Sequence, residues 1–426
     1  MNRTPSHQSS RQVGATFATL VISLFALLST LVSPAYLGAA EKPKVRAVTA
    51  FVRLEPASYQ EQVQEALTFL RRAKVAFERA GYDVQSIRIA TQPFPEYTRG
   101  MSRDAALAFL REYDALAKRA GFDASIGPAM LEDANDPGQA ELLRELFIGE
   151  GVLNASLVVA GEDGVRWKAV REAAELVHYW AKNDPSGLAN FGFAATALVP
   201  PYTPFFPAAY HRGPGREFAL ALQSANVVAE AFTGAEDIAQ ARRRLSESLG
   251  AHAVAIERAA LSVEKETGWG YRGIDLSPAP LKEVSIGGAV EKLTGAPFGA
   301  SGTMTAAALI TEVLRSLPVQ RTGYSGMMVP VLEDSVLAER WSEGTLTLDA
   351  LLAYSAVCGT GLDTIPLPGE VTVEQLERII GDMASLAVKL RKPLSARLMP
   401  VAGKKAGERT EFNDPYLTNA VIQPLH

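Results

Sequence analysis

Cysteine occurs once in 426 residues, at Cys358, and histidine only five times. One thiol excludes an intrachain disulfide and every multi-cysteine zinc motif. No second histidine stands at metal-ligand spacing from His211, which sits in a proline-rich loop and reads as a polar surface residue. Long basic runs are missing too, and the net charge is −5. Nucleic acid is therefore disfavoured as a partner, because phosphate affinity needs concentrated lysine and arginine. The glycine-rich stretches fit neither the dinucleotide fingerprint nor the P-loop, which ends in Gly-Lys-Ser/Thr.

Charge disappears altogether between Gln12 and Ala40, behind Arg3 and Arg11. The centre, Leu20-Val-Ile-Ser-Leu-Phe-Ala-Leu-Leu, is apolar, and Gly38-Ala39-Ala40 supplies small residues before Glu41. A basic flank, an apolar centre and a small-residue exit predict a secretory signal peptide. The span also reaches the roughly 20 residues that a transmembrane anchor needs. A third reading starts the protein later, through a non-AUG codon such as one at Val45, and leaves it cytoplasmic. Export or anchoring is the expectation, with residues 12–40 as the membrane attachment. Residues 1–43 then lie outside the fold. Residues 44–426 are expected to form a single domain, since no low-complexity linker or fixed-period repeat interrupts them.

The remainder has the composition of a protein with a substantial core, 47% hydrophobic and 21% charged. Residues 45–54 are rich in β-branched side chains and read as a strand. Ser58 can cap a helix whose Val63, Leu67, Leu70 and Phe77 lie near one face, and Gly81 ends it. Strand and helix signals then alternate to about residue 199, which argues an α/β fold with much parallel sheet. An aromatic and proline loop follows at 200–211, suited either to wall a pocket or to cover an edge. A long helical region is expected over 225–268.

The last third holds most of the chemistry-bearing patterns. Gly299, Gly302 and Thr303 approach the amino terminus of an apolar helix, a place where free N–H groups can bind an anion; tight helix packing is the other reading. Met327 to Leu332 reads as an apolar strand that delivers Glu333 and Asp334 as acid–base or metal groups. The same two carboxylates also suit a helix start. Cys358 lies in a turn-rich segment with Gly359, Gly361, Asp363, Pro366 and Pro368. It reads either as a site thiol or as a small buried hydrophobe. Residues 376–390 follow the helical repeat closely and read as scaffold. Arg397, Lys404 and Lys405 end a short strand in a basic glycine loop, fit for an anion or for a solvated turn.

These segments carry a resemblance. Gly323-Tyr-Ser-Gly-Met-Met-Val-Pro-Val-Leu-Glu-Asp, Cys358-Gly-Thr-Gly-Leu-Asp-Thr-Ile-Pro-Leu-Pro-Gly and Arg397-Leu-Met-Pro-Val-Ala-Gly-Lys-Lys-Ala-Gly resemble the domain-of-unknown-function 711 family, also called uncharacterised protein family 0210. Ser285-Ile-Gly and Phe298-Gly-Ala-Ser-Gly-Thr match as well, and the likeness covers about residues 44–421. The resemblance implies a fold similar to pyruvate formate-lyase, a large α/β barrel of two half-barrels, and no established activity. Arg321-Thr-Gly323-Tyr324 departs from the glycyl-radical motif and lies far from the carboxyl terminus, so radical chemistry is not expected.

The expected function is an enzyme acting on a small polar or anionic metabolite. Its pocket would gather Cys358, Asp363, Glu333 and Asp334 as catalytic groups, with Gly299, Gly302, Thr303, Arg397, Lys404 and Lys405 on the anion. One alternative is a hydrolase or lyase whose carboxylates hold a divalent metal, with a structural cysteine. Another is a ligand-binding protein without catalysis.

Overall fold

The computed structural model describes residues 41–132, 135–149, 151–184 and 186–425. The membrane-targeting reading falls on residues 12–40, outside the described residues. Among the described residues no helix is long and apolar enough to cross a membrane.

Ten strands form one sheet: β1 (Lys44–Val52), β2 (Val84–Thr91), β3 (Asp123–Ala129), β4 (Leu153–Gly161), β5 (Gly164–Val165), β6 (Phe193–Ala197), β7 (Glu217–Gln223), β8 (Gly270–Asp275), β9 (Gly361–Pro368) and β10 (Leu394–Val401). Their order is β8-β7-β1-β2-β3-β4-β6-β10-β9, with the short β5 beside β4. Neighbours from β1 to β6 along this order are parallel. The direction reverses at two seams, β1 against β7 and β6 against β10. Beyond each seam the pairing is parallel again, β7 with β8 and β10 with β9. With twelve helices among the described residues, this is the α/β fold that the alternation predicts.

The helices form because their apolar residues recur on one face. In α1 (Tyr59–Arg79), Val63, Leu67, Leu70 and Phe77 are all buried, and Gly81 takes the left-handed backbone just past the end. Ser58 precedes this helix but makes no side-chain cap. The helical region expected over 225–268 is two helices, Ala225–Phe232 and Ile238–Thr267. Gly234 turns the chain between them with φ 64°, a conformation that interrupts a helix.

The two faces of the sheet have different cover. Val48, Ala50 and Val52 of β1 join the large core that includes the helices. Phe51, on the other face, packs with Ala90, Ala219, Phe206 and Ala209 in a separate cluster. Phe206 and Ala209 belong to the aromatic loop, which Ser125 Oγ of β3 holds by donating to the Ala209 carbonyl at 2.8 Å. The loop therefore lies against a sheet face, not over a sheet edge.

Residues 320–334 contain no strand, contrary to the apolar strand expected before Glu333. The segment makes only isolated bridges, Arg321 to Ile274 of β8, Pro330 to Asp363 of β9 and Asp334 to Lys282. A three-residue 3-10 turn, Val331–Glu333, ends it. Conversely, residues 361–368 form β9 although they carry two prolines. β9 ends the regular ladder, so the missing proline N–H groups break no second row of bonds.

Candidate functional site

A cavity of about 690 Å³ lies between the aromatic loop, the 320–334 segment and the strands. Arg46 of β1, Arg88 of β2 and Arg397 of β10 contribute to its wall, together with Glu333 and Asp275. Arg397 is the most constrained. Its Nε donates to Asp363 Oδ1 at 2.6 Å and its Nη2 to Glu333 Oε1 at 2.5 Å. The guanidinium also lies 4.8 Å from the Phe191 ring centre and 5.5 Å from that of Phe205. Arg46 Nη2 holds the second oxygen of Glu333 at 3.0 Å. Two carboxylates and two guanidiniums thus form one chain of ion pairs, the arrangement that makes buried charge tolerable.

Asp363 sits behind Arg397, fully buried and outside the cavity wall. Its Oδ2 has no hydrogen-bond partner among the described residues. Burial pushes its pKa up to about 6; Arg397 works against that rise and Glu333 adds to it.

Arg88 is in a different state. Its Nε donates to Ser86 Oγ at 3.0 Å, and Ser86 Oγ in turn donates to the Arg46 carbonyl at 2.9 Å. Its ion pair with Asp123 is 3.4 Å long, and its guanidinium stands 4.9 Å from the Phe206 ring centre. No other hydrogen bond reaches this guanidinium among the described residues, so both terminal nitrogens are unused. Burial lowers its pKa, Asp123 opposes that, and the neighbouring Arg46 lowers it further.

The carboxylates of the wall are better served. Asp275 takes four hydrogen bonds, from Ser277 N and Oγ, Tyr324 N and Ser325 N, although burial raises its pKa. Asp114 accepts from the amides of Val152 and Leu153. Asp414 accepts from Tyr416 N, and Glu411 pairs with Lys404 Nζ at 3.0 Å. Each of these carboxylates thus has at least one partner, whereas Arg88 keeps two terminal nitrogens unbonded.

The groups expected to converge do so only in part. Glu333 and Arg397 meet in the wall, and Asp363 stands behind them. Lys404 reaches the cavity only through Glu411. Lys405 does not line it, and its backbone N–H donates to Glu408 at 2.5 Å. Asp334, next to Glu333 in sequence, faces away into a helix junction. It accepts from Ser285 Oγ, Ile286 N and Gly287 N at one helix start and from Val336 N and Leu337 N at another. It caps two helix starts and forms no part of the cavity wall.

Cys358 is buried in the large core and forms no part of the cavity wall. Burial raises its thiol pKa, with Lys392 opposing, the reverse of what a nucleophile needs. Lys392 Nζ donates to the carbonyls of Ser355 and Cys358 and closes the loop. Gly299, Gly302 and Thr303 also lie away from the cavity. Gly299 N donates to Thr303 Oγ1 at 3.0 Å, and a Cβ on Gly299 would stand 2.3 Å from the Thr345 carbonyl oxygen. Tight packing explains that motif. His211, expected at the surface, is fully buried beside Phe51 and Tyr202.

Arg46, Arg88 and Asp275 were not singled out from sequence. The signal for Arg88 was present: Ser86-Ile-Arg-Ile-Ala places a cation inside an otherwise apolar strand. Among the described residues no group of three or more His, Cys, Asp or Glu is placed to hold a metal ion. Of the carboxylates expected to do so, Glu333 and Asp363 are paired with guanidiniums and Asp334 with helix-start donors.

The family model described as Uncharacterised ACR (DUF711) matches residues 38–413. The chain belongs to this family. A UPF0210 protein of Pyrobaculum aerophilum is 32% identical over 416 residues, covering 89% of this chain and 90% of its own length. One from Pyrobaculum islandicum is 33% identical, covering 87% and 88%. One from Desulforudis audaxviator is 29% identical, covering 78% and 77%. As a DUF711 member, this chain matches these relatives over most of its length.

Proposed function

We propose that the cavity binds a small anionic metabolite, with Arg88 and Arg46 as its receptors. One observation carries this reading: two guanidiniums on adjacent strands face the same cavity, and Arg88 keeps both terminal nitrogens unbonded. Two neighbouring cations cost free energy that an anion between them would recover. Full-length protein mixed with inorganic phosphate, acetate, malonate or citrate tests the reading by thermal denaturation. An anion at one hundred times its Kd adds about 2.7 kcal/mol of stability. Stabilisation should disappear in Arg88→Gln. Equal melting with and without every anion would sink the proposal.

Catalysis on the bound anion is favoured by Asp363, whose raised pKa suits a proton carrier coupled through Arg397 to Glu333. Turnover of any anion that binds should then fall in Asp363→Asn and Glu333→Gln and be unchanged in Cys358→Ala. Turnover lost on Cys358→Ala at unchanged stability would restore the thiol to the mechanism.

We further infer that the sheet closes into a barrel of two half-barrels. Support comes from the two seams and from the 320–334 segment, whose bridges to β8 and β9 link the two ends of the ladder. Closure would make that segment a fifth, irregular member of the second half. An experimental structure in which β8 and β9 lie on opposite outer edges would reject it. Residues 12–40 are proposed to direct export or anchoring, and cell fractionation that finds the uncleaved chain only in the cytoplasm would count against this.

A further inference from the structure

We propose that the ligand is an amphiphilic organic anion, with its acid group between Arg46 and Arg88 and an apolar body filling the rest of the cavity. This deepens the anion reading and rests on it. A bare inorganic anion would use only a small part of the space. A cavity of about 690 Å³ falls within the roughly 300–1,000 Å³ of sites that enclose a drug-sized molecule.

The chemistry of the wall is divided to match. The unbonded terminal nitrogens sit on β2, in Arg88, beside Arg46 of β1, which spends Nη2 on Glu333. Apolar side chains arrive from four other segments, as Phe147, Leu188, Phe205 and Met328. Phe147 and Met328 are each less than a tenth exposed, so they form a fixed surface and not a mobile fringe. Water against such side chains lacks the two to four polar partners that hold it in place, and an apolar group displaces it favourably. A second acid on the ligand has no evident receptor, because Arg397 is already committed to Glu333 and Asp363. One acid group and one apolar body is the composition that suits the arginines and the apolar segments of the wall.

The test uses full-length protein and the straight-chain series acetate, butanoate, hexanoate and octanoate, with inorganic phosphate as the anion that lacks a body. Binding is measured by calorimetry in wild type, Arg88→Gln and Phe147→Ser. The expected result is affinity that tightens about fourfold per added methylene. Arg88→Gln should weaken every member by a similar factor, whereas Phe147→Ser should weaken octanoate and leave acetate unchanged. If Arg88→Gln fails to fold, Arg88→Lys serves, keeping the charge and losing the forked geometry. Phosphate and acetate binding as tightly as octanoate would overturn the amphiphile and leave the anion reading standing. Tightening along the series that ignores the Arg88 variants would overturn both, as would no binding by any member.

Discussion

At the scale of single residues, the buried ion-pair chain is the most exposed to test. Arg397 is the shared partner of Glu333 and Asp363, so Arg397→Met leaves one buried carboxylate unpaired and the other with Arg46 alone. The variant should lose about 3–5 kcal/mol at pH 8, measured by urea denaturation. The loss should shrink at pH 5. Asp363 already has a raised pKa in the folded wild type, and removing Arg397 raises it further, so folding takes up a proton and stability grows as the pH falls. An equal loss at both pH values would refute the pairing. His211 has the opposite sign. Burial lowers its folded pKa to about 4, so its contribution is complete above about 6.5 and is lost as pH falls through 4. His211→Leu should remove up to about 3 kcal/mol of acid destabilisation across that window. A variant that acid-denatures in parallel with wild type would contradict this. The sequence made Glu333, Asp363 and Arg397 visible because each lies at or beside an apolar run. It did not separate Glu333 from Asp334, since adjacent carboxylates part company only when the chain turns between them.

At the scale of elements, glycine in the cysteine segment has a packing cause. Gly359 donates its N–H to the Met327 carbonyl at 2.7 Å. A Cβ there would stand 2.7 Å from the Gly326 carbonyl. The two backbones touch, and this contact seats the 320–334 segment against the loop before β9. Gly359→Ala should therefore cost about 3 kcal/mol by overpacking. Gly403 is the control: its φ is 71° but nothing lies within 4 Å of its Cβ position. Gly403→Ala should cost only the left-handed strain, about 1–2 kcal/mol. Equal costs in chemical denaturation would mean that the close approach is unimportant. Glycine and cysteine together looked like a ligand loop, because sequence cannot tell approach to a ligand from approach to another backbone. Helices with a full apolar face, such as Val373–Leu390 with its Thr372–Gln375 capping box, were legible almost to the residue.

At the scale of the whole molecule, the parallel run was readable, and of the reversed strands only β10 was. β1, β2, β3, β4 and β6 are bounded by helices and turns and rich in apolar residues. β7, Glu217-Phe-Ala-Leu-Ala-Leu-Gln, is half alanine and leucine and has little strand preference. β8 contains two glycines and β9 two prolines, so each mimics a turn. Their strand conformation is imposed by neighbours: β7 is flanked by β1 and β8, and β9 by β10. This has a consequence for cooperativity. The first-half strands β1 and β6 are each paired with strands from later in the chain, so no cut near residue 200 leaves a sheet without two newly exposed edges. Unsatisfied edges of that length cost too much for either half to stand alone. Calorimetry of the full-length protein should give one transition, with the directly measured and van't Hoff enthalpies in agreement. Residues 42–198 and 199–426 produced separately should each lack a cooperative melt. Two resolved transitions, or a stable half, would show that the seams contribute little and that the chain is two domains.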